Sequence, residues 1–220
     1  MTPDRSDQLA VVIPALNEAR TVSEVIAGAR QYGMPIVVDD GSKDDTAQLA
    51  ERAGAIVVQH AVNRGYDKSL ESGLFKAIEL GFGYAVTLDA DGQHLPQVLL
   101  GFKTELLKGA DLVIGTRDRH QRISESIFAS LTNVLWGIRD PMCGMKGYKL
   151  ANLEKLGHFD SYCSIGTEFA IRCARSKLDL RFVKVQTRQR LGSSRFGQGF
   201  VANYKIFRSM IIGLFKAKRF

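Results

Sequence analysis

The chain has 220 residues, 45% hydrophobic and 24% charged, which suits one domain with a sizeable core and excludes disorder as its main state. A formal net charge of +7 predicts an anionic partner: nucleic acid, a phosphorylated small molecule or an acidic membrane surface. Met1 to Leu9 is polar, unlike a signal peptide, and the longest apolar runs are too short to span a bilayer.

Val11-Val12-Ile13-Pro14-Ala15 predicts a buried strand closing on Pro14, then Asn17-Glu18 and a helix over Arg20 to Arg30 with Val22, Val25, Ile26 and Ala29 inward. Ile36-Val37-Val38 predicts a second strand that ends in Asp39-Asp40-Gly41-Ser42. Asp44-Asp45-Thr46 opens a helix carrying Ala47, Leu49, Ala50 and Ala53, and Ala55-Ile56-Val57-Val58 makes a third strand. Tyr66 to Leu80 places Leu70, Leu74, Ala77 and Ile78 on one helical face, with Gly81 as the stop. Ala85-Val86-Thr87-Leu88 is the fourth strand, Pro96 to Lys108 a helix and Leu112-Val113-Ile114-Gly115 the fifth strand. This alternation predicts an α/β fold with a mainly parallel central sheet flanked by helices and right-handed crossovers.

Beyond Gly115 comes a basic cluster, Thr116-Arg117-Asp118-Arg119-His120-Gln121-Arg122, read either as phosphate-binding guanidinium groups or as a solvated loop. A helix over Ile123 to Trp136 carries Ile127, Ser130, Leu131, Val134 and Leu135 at helical spacing. Asp140-Pro141-Met142-Cys143-Gly144-Met145-Lys146-Gly147-Tyr148 is a turn into a strand, and Leu150 to Leu156 a short helix. Glu168 lies early in a helix from Thr167 to Ser176, where a carboxylate also simply complements the helix dipole. Arg181 to Thr187 alternates as a half-exposed strand, and a basic, small-residue segment runs from Arg188 to Arg195. The tail from Tyr204 to Phe220 is a basic amphipathic helix, which either lies on an anionic membrane or packs on the domain. Cys143, Cys163 and Cys173 have no ligand-like pairing, so reduced thiols in a cytoplasmic setting are expected and a zinc site is not.

Ligands of open α/β sheets sit beyond the carboxyl ends of the strands. Asn17-Glu18, Asp39-Asp40-Gly41-Ser42 and Asp89-Ala90-Asp91 all fall at such ends. Asp89 and Asp91, one residue apart in a tight bend, suit a hard cation such as Mg²⁺ or Mn²⁺, with Gln93 adding a carbonyl oxygen. The bland alternative is a solvated acidic turn. No dinucleotide fingerprint and no P-loop occurs, so a diphosphate at this acidic mouth needs a cation. The same acids would repel a polyanion, so nucleic acid is not the expected partner.

In order along the chain, Val11 to Glu18, Val38-Asp39-Asp40-Gly41-Ser42, Asn63-Arg64-Gly65, Leu88 to His94, Gly115-Thr116-Arg117 and Asp140 to Lys146 resemble the family 2 glycosyltransferases of GT-A fold. The nearest branch is similar to the polyprenyl (dolichyl) phosphate mannose or glucose synthases. The resemblance implies one catalytic domain: a nucleotide-sugar half to about residue 115, an acceptor half over about 116–200, then the tail. It implies an inverting, metal-dependent transfer of a hexose, mannose favoured, from a nucleotide diphosphate sugar to a polyprenyl phosphate. A UDP-glucose or UDP-GlcNAc donor, or a glycan hydroxyl acceptor, is the alternative.

Pro14, Ala15, Asn17 and Glu18 resemble the segment that contacts the nucleoside, Val38 and Asp40 the wall around base and ribose, and Ala90 part of the donor site. Asp89, Asp91 and Gln93 resemble the metal site; Arg117, with Arg122 and Ser126, resembles the set that holds the acceptor phosphate. Gly192, Ser194 and Arg195 match the end of a loop that closes over the donor diphosphate. Gln189 stands where that loop's arginine falls, flanked by Arg188 and Arg190, so Arg190 and Arg195 are the diphosphate candidates. The link from Arg117 to Arg122 is shorter than the family's usual one. A phosphate acceptor, already ionised near neutral pH, needs little general base; a hydroxyl acceptor would need Glu168 or Asp140. The implied location is the cytoplasmic membrane face, held peripherally, with room for a separate membrane-protein partner.

Overall fold

The computed structural model describes residues 5–118, 123–157, 159, 164–186, 208 and 212. Strand and helix alternate as the apolar spacing predicts: β1 (Arg5–Ala15), α1 (Val22–Ala29), β2 (Met34–Asp39), α2 (Thr46–Arg52), β3 (Ile56–Gln59), α3 (Tyr66–Glu79), β4 (Phe82–Thr87), α4 (Val98–Leu107) and β5 (Leu112–Arg117). Then follow α5 (Ile123–Trp136), β6 (Lys146–Lys149), α6 (Leu150–Leu156), α7 (Thr167–Arg175) and β7 (Leu180–Val185). The strands form one seven-stranded sheet in the order β3-β2-β1-β4-β6-β5-β7. Every pairing is parallel except those of β6, which runs antiparallel between β4 and β5.

Side chains alternate across a strand, so β1 feeds both layers of the core. Val11 and Ile13 meet Ile26, Leu99 and Phe102 on one face; Ala10 and Val12 meet Leu70, Leu74 and Ala77 on the other. Burial on both faces explains the unbroken apolar run of β1. α1 buries the expected Val22, Val25, Ile26 and Ala29.

The apolar stripe of α5 falls on the opposite side from the one a core helix would show. Ile127, Val134 and Leu135 are 48%, 83% and 48% exposed, while Ser124, Glu125, Phe128, Ala129 and Thr132 are buried. Hydrogen bonding makes this inward polar face tolerable. Thr132 Oγ1 reaches the carbonyls of Phe128 and Ile138, and Glu125 pairs with Arg117. β7 also departs from strict alternation, with five of its six residues at intermediate or high exposure, since among the described residues it is an edge strand paired with β5 alone.

The Cys163 thiol and the tail from Tyr204 to Phe220, apart from Arg208 and Ile212, lie outside the described residues, whereas Cys143 and Cys173 are buried free thiols. Among the described residues no helix is long and apolar enough to cross a membrane.

Helix α3 lies close to the sheet at Gly73. A Cβ there would sit 2.4 Å from Val12 Cγ1 and 3.0 Å from Val38 Cγ2. Alanine is the better helix former by about 1 kcal/mol, but overpacking costs about 1–3 kcal/mol. Gly73→Ala is therefore expected to destabilise the fold by up to about 2 kcal/mol, read as a lower urea midpoint at unchanged m.

Candidate active site

The parallel register brings three strand tips together. Pro14 pairs with Val38, Ala15 with Asp39, and Val12 with Thr87. The loops after β1, β2 and β4 therefore open side by side, which groups Asn17-Glu18, Asp39-Asp40 and Asp89-Ala90-Asp91 in space. The first two are laced together: the Asn17 N–H donates to Ser42 Oγ, the Lys43 N–H to Asn17 Oδ1 and the Glu18 N–H to Thr46 Oγ1, each at 2.8 Å. Asn17 takes φ 50°, a left-handed value that asparagine tolerates. Pro14, Ala15 and Val38 are buried at the base of this mouth, with Val38 against α3 near Gly73.

Asp40 points inward. Its Oδ1 accepts hydrogen bonds from His60 Nδ1 at 2.7 Å and the Arg64 N–H at 2.8 Å, and its Oδ2 from the Gly65 N–H at 2.8 Å. His60 Nε2 in turn meets Ser72 Oγ at 2.9 Å. Asp40 thus anchors the loop that leads into α3.

The Asp89 turn is held from several sides. Thr21 Oγ1, just before α1, donates to the Ala90 carbonyl at 2.7 Å. The Gln93 N–H donates to Asp91 Oδ1 at 3.0 Å across Gly92, whose φ of 73° suits glycine. Tyr66, the first residue of α3, donates its hydroxyl to Asp89 Oδ1 at 2.8 Å. Burial, then the charge and hydrogen bond of Asp89, hold the Tyr66 pKa well above its usual value, so the phenol stays a neutral donor. His94 Nε2 stands 3.6 Å from Asp89 Oδ2, too far for a hydrogen bond, and His94 Nδ1 is buried with no hydrogen-bond partner. The Asp89 side chain keeps 30% exposure.

These donors fit a cation shared with a ligand better than a closed metal cage. Among the described residues no three His, Cys, Asp or Glu side chains converge as a metal-holding group. One or two carboxylates, completed by phosphate oxygens and water, is the usual Mg²⁺ arrangement.

On the other side of β4, the Asp140 to Lys146 turn is fastened underneath. Lys146 is fully buried, and its Nζ donates to the carbonyls of Pro141, Cys143 and Ile165 at 2.9, 2.6 and 2.8 Å. Thr87 Oγ1 donates to the Gly144 carbonyl at 2.7 Å and accepts the Lys146 N–H at 3.0 Å. Gly144 is closely enclosed: a Cβ would lie 3.1 Å from the Tyr66 hydroxyl and 3.3 Å from Asp89 Oδ2, tight enough to press on both. The turn therefore abuts the Asp89 carboxylate.

Asp140, at the start of this turn, grips Arg117. Arg117 Nε and Nη2 donate to Asp140 Oδ2 and Oδ1 at 2.9 and 2.8 Å, and Nη2 also lies 3.2 Å from Glu125 Oε2. Burial works against the Arg117 charge, but the hydrogen bonds and charge of Asp140, with smaller help from Cys143 and Glu125, outweigh it and raise its pKa. The fork is turned onto protein carboxylates, with Nη1 outside both pairs. Glu168 is buried 3.9 Å from Arg172 Nε, and Ser126 is exposed on α5. Arg122, Arg190 and Arg195 lie outside the described residues.

Tyr66, Glu125 and Thr87 are site-shaping residues that motif reading passes over, and Lys146 is one whose motif gives no hint of its buried role. Lys146 carried a signal only as the last residue of the Asp140 to Lys146 motif; the others had none beyond adjacency to a motif. Asp140→Ala leaves Arg117 with Glu125 alone and is expected to cost about 3 kcal/mol of stability, measured by urea unfolding beside the wild type.

The model for glycosyl transferase family 2 matches residues 10–174. An uncharacterised protein of Methanocaldococcus jannaschii is 30% identical over 224 residues, covering 94% of this chain and 92% of its own length. The UDP-N-acetylglucosamine–dolichyl-phosphate N-acetylglucosaminyltransferase of Methanococcus voltae is 25% identical over 92% of this chain and 94% of its own. Among solved structures, glucosyl-3-phosphoglycerate synthase from Mycobacterium tuberculosis, in complex with Mn²⁺, UDP and glucosyl-3-phosphoglycerate, superposes with a TM-score of 0.72 at 22% identity. That match covers 94% of this chain and 78% of that one. The strand order, the grouped loops and the extent of the family match lead to one conclusion: this chain belongs to glycosyltransferase family 2 and has its GT-A fold.

Proposed function

We propose that the protein is an inverting hexosyltransferase that moves a sugar from a nucleotide diphosphate donor to a polyprenyl phosphate at a membrane surface. The observation that carries this reading is the half-buried Asp89 turn at the meeting of three strand tips, inside a family 2 fold. Asp89 and Asp91, with the Gln93 amide oxygen, would hold Mg²⁺ or Mn²⁺, which when bound offsets charge on the departing diphosphate. Pro14, Ala15, Asn17, Glu18 and Ala90 would line the nucleoside and diphosphate, with Val38 and Asp40 supporting the mouth from beneath. Arg190 and Arg195 are the candidate closing cations on the donor.

In the reaction an acceptor phosphate oxygen bonds the anomeric carbon as the bond from that carbon to the diphosphate breaks, its electron pair leaving with the nucleotide. Arg117, through Nη1, with Arg122 and Ser126 would position that phosphate. Among the described residues, burial of the two base candidates, Asp140 and Glu168, favours a phosphate over a hydroxyl acceptor. Asp140 is 2% exposed with both oxygens on Arg117, and Glu168 is 4% exposed. The apolar residues exposed on α5 support a lipid-facing acceptor side and peripheral membrane placement. Mannose is the favoured sugar; the Methanococcus voltae relative, named for UDP-N-acetylglucosamine, supports that donor as the second reading.

Two measurements test the proposal. Calorimetric titration with GDP and UDP should show binding strengthened by Mn²⁺ and lost in Asp91→Ala; equal affinity with and without the cation overturns the donor assignment. Incubation with radiolabelled GDP-mannose or UDP-N-acetylglucosamine and polyprenyl phosphate should yield an organic-soluble product. Label appearing only in a water-soluble glycan overturns the acceptor class.

A further inference from the structure

Helix α3 starts at the mouth with its first turn pinned on both sides. The Arg64 and Gly65 N–H groups are tied to Asp40, which is itself seated on His60. One residue beyond Tyr66, Asp67 Oδ1 accepts the Ile165 N–H at 2.7 Å. Between these anchors Tyr66 reaches across to Asp89 Oδ1 at 2.8 Å, and Gly144 closes over the same contact. Its phenol is a donor of fixed position, and it meets one oxygen of the carboxylate while the other oxygen turns to the His94 side.

We infer that Tyr66 is a positioning residue for the cation: by holding Asp89 Oδ1 it fixes the orientation in which this carboxylate would meet a divalent ion shared with the donor diphosphate. This deepens the proposed function and rests on its reading of the Asp89 turn. A carboxylate with both oxygens unconstrained rotates about its Cβ–Cγ bond, and a cation then has to select one orientation. The Tyr66 hydrogen bond makes that selection before the cation arrives. Outer partners of this kind govern metal affinity by about 10- to 100-fold.

The test compares wild type, Tyr66→Phe and Asp89→Asn, with Mn²⁺ titrated in the presence of UDP and of GDP and followed by electron paramagnetic resonance and calorimetry. Tyr66→Phe removes one oxygen and no packing carbon, and thermal melting checks that it folds as the wild type does. The expected result is Mn²⁺ binding weakened at least about tenfold in Tyr66→Phe and abolished in Asp89→Asn, while nucleotide affinity without Mn²⁺ is unchanged in Tyr66→Phe. Mn²⁺ affinity equal to wild type in Tyr66→Phe, with Asp89→Asn defective, overturns the role of Tyr66 and leaves the donor site standing. A matching fall in metal-free nucleotide affinity also overturns it, since general loosening of the mouth would produce that. Wild type and Asp89→Asn alike insensitive to Mn²⁺ overturns the reading of the donor site itself.

Discussion

The contact on which the two sides of the molecule depend is made by one hydroxyl at the end of β4. Thr87 Oγ1 joins the Gly144 carbonyl to the Lys146 N–H, and so fastens the antiparallel β6 and its preceding turn to the strand that delivers Asp89. A serine-sized side chain inside a strand end can satisfy two backbone groups that the ladder leaves over. Because of it, the turn that holds Asp140 and Arg117 lies against the same carboxylate that stands at the strand-tip mouth.

Around that junction the protein buries charge only with partners. Asp40 takes three donors, Lys146 three carbonyls, and Arg117 two carboxylates. Each arrangement is costly to break and gains little over an apolar substitute, so stability alone is a weak reason for having it. Its effect is geometric. Asp40 sets where α3 begins, Lys146 sets the path of the Asp140 turn, and the Arg117 fork sets the distance from β5 to that turn. Asp40 and Lys146 thereby organise the mouth without themselves opening into it.

Much of the first 115 residues was legible in order, because periodicity reports burial directly. Val22, Val25, Ile26 and Ala29 face inward as their spacing required, and the three acidic or polar loops gather where parallel strands end. The same spacing located α5 but not its inward face: its apolar residues at positions 127, 134 and 135 face outward while Glu125 and Thr132 are buried. Hydropathy cannot see that Glu125 has a partner in Arg117, at the end of β5. β6 was likewise legible as a strand but not as an antiparallel one, since direction depends on which neighbours it enters between.

The residues alone determined the alternation of strands and helices, the acidic turn after β4 and the absence of glycine-cradled phosphate loops, because each is a property of local spacing and composition. Only the folded chain decided which way the polar groups point. Asp40, which resembles a ligand-facing residue in its motif, is turned into the core, and Arg117, basic and ready for phosphate, is already forked onto Asp140. Tyr66 became part of the site through a contact across 23 positions of sequence. The physical reason is common to all three: a hydrogen bond is satisfied by whatever the tertiary structure brings within about 3 Å, and sequence spacing does not carry that distance.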